Sequence, residues 1–351
     1  MTEKRLKELK RLISMNNLDG YIIPKNDAYF SEFSFPNRLK TISNFSGSAG
    51  FAIILKKENY LFVDGRYTVQ AQIESGRYFK IFEIPNYSPK DILKKYKKKL
   101  LLGFDPQIFT SATLKRQFSN FCNLFPITEN LIDIIYKEKN KNSVNYFYNL
   151  SYQASGESIN SKINRLIKKI KLKNSDCIFI SSPENVAWLL NLRGKDNPFS
   201  PIPNCKIILT KDKKIYFFSC PLKIKQIKKI NPYKKFKFCK YNQFLEVVKK
   251  LPGTNFCIDG ATCSIFNETI IKSLFNINNY VDPCYHMKSI KNSIEIDHMK
   301  NAHFKDGLAL TKFIFWMKKN YNNKLTEISA QTKLENFRKK NKEYLFPSFN
   351  T

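Results

Sequence analysis

The chain has 351 residues, 42% hydrophobic and 14% aromatic, with a formal net charge of +31. That apolar content excludes a disordered chain, no apolar run approaches the ~20 residues of a membrane span, and at roughly 100–200 residues per domain the length suggests two or three domains. Eight cysteines without a CxxC pair exclude a zinc ribbon and a disulfide scaffold and point to reduced thiols in the cytoplasm.

The opening "MTEKRLKELKRLISMNN" predicts a helix with Leu6, Leu9, Leu12 and Ile13 on one core-docking face. It lacks the apolar segment and cleavage site of a secretory signal. "GYIIP" (20–24) reads as a buried strand. The stretch "SGSAG" (46–50) reads as a turn rather than an anion-binding nest, because no helix bearing Lys and Ser/Thr follows it. It leads into "FAIILKKENYLFVD", two apolar runs around a polar tip, the pattern of a hairpin. The hairpin ends in "VDGRY" (63–67), which places Arg66 at a strand-to-helix turn two residues after Asp64, a residue suited to cap the helix expected over 66–75. On its own such an arginine reads as a solvated turn residue. A strand over 78–84, a helix over 89–98, a strand over 100–105 and a helix over 111–120 complete a first unit, residues 1–130. Alternating strands and helices argue for an α/β layer fold.

A second unit, residues 131–290, contains the polar segment "KEKNKNSVN" and repeats the rhythm. A helix (157–172), a strand (176–181) and a helix opened by Pro183 come first. "CKIILT" and "KIYFFS" form a second hairpin, followed by helices near 222–229 and 242–250, a strand (255–259) and a helix (264–274). No residue-level repeat is visible, and the units read as two domains of similar architecture. Residues 291–351 change character. Ile294, Met299, Ala302, Phe304, Leu308, Leu310, Phe313 and Met317 recur near helical spacing on one long amphipathic helix (293–320), and Thr326 is placed to cap a second (325–340). Trp188 and Trp316 lie on apolar helix faces and read as core.

The residues themselves display no active site. His298 and His303 lie five apart on one helix, about 140° out of register, unlike a metal-binding i, i+4 pair. Together with His286 they read as ordinary helix histidines. Glu295, Asp297 and Asp306 read as a solvated face. GxSxG, GxGxxG and P-loop motifs are absent. The lysines are spread over the whole chain with no zinc finger or RNP motif, so a nucleic-acid partner is disfavoured, and only weak, salt-sensitive adhesion to polyanions is expected.

Several blocks taken together resemble one family: "YIIPKNDAYFSEF" (21–33), "ISNFSGSAGFAII" (42–54), "LFVDGRYTVQAQ" (61–72), "GFDP" (103–106), "NLIDIIY" (130–136), "ENVAWLLNLRGKD" (184–196), "KSIKNSIEIDHMKNAHFKDGLALTKF" (288–313) and "LTEISAQTKLENFR" (325–338). Their order and content are similar to the Xaa-Pro aminopeptidases (aminopeptidase P), three-domain members of the creatinase-like "pita-bread" metallopeptidases. The resemblance implies two creatinase N-terminal-type α/β domains (1–130 and 131–290) followed by the first helices of an incomplete pita-bread catalytic domain (291–351). It implies a hydrolase that removes an N-terminal residue preceding proline with two divalent metals, commonly manganese. In the family the metal ligands and catalytic histidines lie downstream of the two helices that match 293–320 and 325–340. The resemblance therefore implies a truncated or split enzyme, inactive alone, with no catalytic or metal-binding residue of its own and with a separately encoded catalytic half as a possible partner. Arg66 matches the family arginine that reaches the active site and contacts bound peptide, a task suited to a planar guanidinium. The competing expectation is a non-enzymatic peptide- or protein-binding scaffold of creatinase-type domains.

Overall fold

A computed structural model describes residues 2–118, 120–136, 146–230, 232–321 and 324–349. The polar segment "KEKNKNSVN" (137–145) lies outside the described residues. Helix Thr2–Met15 buries Leu6, Leu9, Leu12 and Ile13 as its periodicity predicts. Each such side chain removed from water contributes about 1.5–3 kcal/mol before the entropy of ordering is counted.

The first sheet contains β1 (Gly20–Pro24), β2 (Gly50–Leu55), β3 (Asn59–Asp64), β4 (Lys80–Ile84), β5 (Leu100–Phe104) and β6 (Cys122–Pro126) in the order β4-β3-β2-β1-β5-β6. The hairpin is formed: β2 pairs antiparallel with both β1 and β3, with Phe51 opposite Phe62. The outer pairs β3–β4, β1–β5 and β5–β6 are parallel. Apolar clusters cover both faces of this sheet, one around Leu9, Phe45 and Leu61 and the other around Ile53, Phe62 and Phe118.

Downstream lie β7 (Tyr148–Asn149), β8 (Cys177–Ile180), β9 (Leu192–Arg193), β10 (Lys206–Thr210), β11 (Ile215–Phe218), β12 (Lys237–Cys239), β13 (Asn255–Ile258) and β14 (Asn276–Asn279). β7 and β9 make a two-stranded ribbon, and the other six form a second sheet in the order β12-β11-β10-β8-β13-β14. Its pairings are antiparallel for β8–β10–β11 and parallel for β11–β12, β8–β13 and β13–β14, the same topology as the first sheet. The repetition extends to one turn. Asp105 after β5 accepts from the Gln107 N–H at 2.8 Å, and Asp259 after β13 accepts from the Ala261 N–H at 2.9 Å.

Three expectations need correction. The helix expected over 89–98 is only Pro89–Leu93, because just Ile92 and Leu93 have core to pack on and the lysines that follow gain nothing by continuing it. Strands β6, β12 and β14 and the short helices Arg38–Ser43 and Leu131–Ile135 were not anticipated from the residues. Trp188 and Trp316 are half-buried rather than core; Trp316 stacks on Phe313 with centroids 6.1 Å apart. Helix Ser293–Asn320 buries only Ala309 and exposes Phe304, Leu308, Leu310, Ile314 and Phe315.

The two domains meet through backbone, polar and aromatic contacts. The Ile265 and Phe266 N–H groups donate to the Phe109 and Pro106 carbonyls at 2.9 and 3.0 Å. The Ser31 hydroxyl reaches the Asn197 side chain at 3.2 Å. No helix among the described residues is long and apolar enough to cross a membrane.

Candidate functional site

Arg66 stands where "VDGRY" predicts. β3 ends at Asp64, a short 3-10 turn covers Gly65–Tyr67, and helix Thr68–Ser75 follows. Asp64 accepts the Arg66 backbone N–H at 3.0 Å, so the expected capping role is met one turn earlier, at the 3-10 segment. The same carboxylate accepts Arg66 Nε at 2.8 Å. The pair fixes the guanidinium, raises the arginine's already high pKa and draws the Asp64 carboxyl below its usual range. Yet 70% of the Arg66 side chain stays open to solvent. It is oriented without being occupied, and its remaining N–H groups can meet a carbonyl or carboxylate.

The turn beneath it is tied to neighbouring segments. Tyr67 packs edge-on against Phe45, and its hydroxyl pairs with Ser48 at 2.8 Å, which ties "SGSAG" to the arginine turn. This stretch is a structural turn, as read. Beside it, Pro24, Asn26, Gly50, Asp64, Ile84 and Phe109 line a cleft of about 320 Å³ across the ends of β1 to β4. Glu32 acts electrostatically on Arg66. Glu32 also lines a second cleft of about 390 Å³ with Tyr29, Phe33, Pro183, Glu184 and Asn197, between the two sheets. The loop carrying Glu32 is organised by buried Asp27, which accepts the Tyr29 and Ser31 N–H groups at 2.8 and 3.2 Å.

Sequence reasoning missed several buried or half-buried charged groups. Lys162, 1% exposed, donates to the Trp188 carbonyl at 2.9 Å and the Asn191 side chain at 2.7 Å, and burial draws its pKa to about 8. Lys206, at the head of β10, is likewise drawn to about 8 by burial. Arg38 forms a two-pronged pair with Asp133 at 2.9 and 2.6 Å, joining two short helices. A lysine leading an apolar run, as in "CKIILT", was the available signal for Lys206.

A dinuclear hydrolytic centre needs carboxylates that bridge two ions, lower the pKa of a water and polarise the scissile carbonyl. Among the described residues no three His, Cys, Asp or Glu side chains gather to hold a metal. His286, His298 and His303 are exposed on helices. The described donor set does not fit such a centre. The eight cysteines are free, and burial pushes the Cys177 and Cys257 thiols up to about 12.

Comparison with known proteins places these features. The family described as "Creatinase/Prolidase N-terminal domain" matches residues 5–134, and a second family of the same description matches 138–295. A probable Xaa-Pro aminopeptidase P of Laccaria bicolor is 28% identical over 364 residues, covering 96% of this chain and 55% of the relative. An Xaa-Pro aminopeptidase of Drosophila melanogaster is 29% identical over 366 residues, covering 99% and 60%. The fold matches the crystal structure of an X-prolyl aminopeptidase from Caenorhabditis elegans, described as a cytosolic enzyme with a di-nuclear active site, at a TM-score of 0.85 and 23% identity, over 99% of this chain and 61% of that one. The chain thus spans 55–60% of the length of these two curated relatives.

Proposed function

This chain belongs with the Xaa-Pro aminopeptidases (aminopeptidase P) through its two creatinase/prolidase N-terminal domains, and from that premise we propose that its 351 residues form the peptide-facing part of such an enzyme. Residues 1–130 and 131–290 are the two α/β domains, and 291–351 open the metal-bearing domain. The substrate is a peptide with proline at its second position, and Arg66 is its binding residue. The observation that carries this reading is the state of Arg66: held by Asp64, a residue that lines the cleft, with most of its side chain still exposed.

Hydrolysis needs two metals, manganese in this reading, and the described residues do not supply their ligands. These 351 residues alone are therefore inactive, and turnover requires polypeptide bearing the ligands, in the same chain or separately encoded. Eight free thiols suit a reducing, cytoplasmic compartment.

The test is hydrolysis of an Xaa-Pro-Xaa tripeptide with Mn²⁺. The 351 residues alone should give no turnover. With the ligand-bearing region supplied, turnover should appear, and Arg66→Ala should lower kcat/KM about tenfold to a hundredfold, the range for losing a charged hydrogen bond, with metal content unchanged. Turnover by the 351 residues alone would overturn the first claim, and an unaffected Arg66→Ala the second. A folded chain that binds peptide but never supports hydrolysis would favour the scaffold reading.

A further inference from the structure

A separate pocket of about 170 Å³ lies over the second sheet, lined by Phe179, Phe218, Phe244 and Phe266 with Lys206 and Asn267 among them. It sits where β8 and β11 end and β10 begins, and the connections that leave β8 and its parallel neighbour β13 run to opposite sides of the sheet. In open α/β sheets this carboxyl-end switch point is where ligands bind. Ala28, Tyr29 and Gln107 of the first domain roof it.

The walls are largely aromatic, with the buried Lys206 and Asn267 side chains among them. Lys206 is 6% exposed. Its ammonium donates to the Ala28 carbonyl at 2.8 Å and lies 5.4 Å from the centre of the Tyr29 ring. No carboxylate forms an ion pair with it among the described residues; Asp27 acts only at longer range. An ammonium has three donors, and burying it without a counter-charge is costly. Asn267, 9% exposed, makes no side-chain hydrogen bond among the described residues. An apolar cavity of about 150 Å³ is enough to admit benzene.

We propose that this interdomain pocket binds a small carboxylate built on a single aromatic ring, with the ring among the phenylalanines and the carboxylate on Lys206 and Asn267. The site is distinct from the Arg66 cleft and does not rest on peptidase activity. Calorimetric titration of the full chain with benzoate tests it, with benzamide as the neutral isostere. Benzoate should saturate with a dissociation constant in the range of about 1 mM or tighter, at least about tenfold below that of benzamide, since the charge-assisted bond is the discriminating contact. Lys206→Met should abolish the preference. Equal binding of the two probes by the wild-type chain, or no saturation by benzoate, overturns the proposal even if the variant fails to fold. A folded Lys206→Met that still prefers benzoate overturns the role of Lys206.

Discussion

Replacing Asp176 by asparagine perturbs one joint of the second sheet in a way that can be computed. Asp176 precedes β8. Its carboxylate accepts Lys211 Nζ at 2.6 Å and the Thr254 and Asn255 N–H groups at 2.8 and 3.1 Å. It sits against Gly253, whose φ of +97° and lack of a Cβ permit the approach. Its side chain is 16% exposed, so solvent screening is modest. The Lys211 bond, then the two backbone donors, hold its pKa at about 2. Against about 3.9 for an unperturbed aspartate, at 1.36 kcal/mol per pKa unit, the ionised form contributes about 2.6 kcal/mol to folding, or about 2 kcal/mol once solvent screening is allowed for. Asparagine must turn an NH₂ donor toward either Lys211 or the backbone N–H groups, so it keeps only part of the network. The sign follows from the folded pKa lying below the unfolded one. The contribution is complete above the unfolded value and is lost as pH falls toward 2. Urea unfolding followed by far-UV circular dichroism should show Asp176→Asn less stable than wild type by about 2 kcal/mol at pH 7, with the gap shrinking from pH 5 downward. A gap that does not change with pH would refute the electrostatic assignment.

Gly156 ends a short helix at φ +67°, and a Cβ there would meet Asn292 Oδ1, the cap of helix Ser293–Asn320, at 2.3 Å. Gly156→Ala should cost about 2–3 kcal/mol from the left-handed backbone and the disturbed cap, and limited proteolysis should open near residue 292; an unchanged digestion pattern would show that this joint does not hold the helix. For Lys162, burial places the folded pKa, about 8, below the unfolded one. Between pH 8 and 10 the unfolded chain therefore holds more protons and stability rises with pH. Lys162→Met should lack up to about 3 kcal/mol of that rise, so wild-type and variant unfolding profiles that stay parallel over this range would dismiss it.

The sequence made one layer of this protein readable and hid another. The apolar spacing of Leu6, Leu9, Leu12 and Ile13, and the two runs on either side of "KKEN", state their structure locally, because one period decides which side chains can be buried together. β14, with the sequence "NINN", carries no such signal. It becomes a strand because β13 offers its backbone an unpaired edge, with Asn255 opposite Asn276. Lys162 was equally hidden. Within "INSKINRLIKK" it looks like any surface lysine, and only the folded chain brings the Trp188 carbonyl and Asn191 to its ammonium. Arg66 lay between these extremes. Its turn and its cap were readable, whereas the cleft that Asp64 lines depends on strands 40 residues apart in sequence.

The repeated topology bears on whether Arg66 serves the fold or a ligand. Both sheets need a strand-to-helix turn after the second hairpin strand. In the second sheet β11 ends at Phe218, and helix Pro221–Ile227 begins three residues later with proline in its first turn. That turn is built without an arginine, an aspartate or a 3-10 segment, so the architecture does not require "DGR". In the first sheet the same junction spends an aspartate on holding a guanidinium that remains 70% exposed. An exposed ion pair contributes little to stability, typically about 0–1 kcal/mol. The pair is therefore poorly explained by folding and well explained by a charged or carbonyl-bearing ligand at the adjacent cleft. Arg66→Ala should accordingly leave the unfolding midpoint unchanged while weakening peptide binding. A variant that unfolds markedly more easily would return the arginine to a structural role.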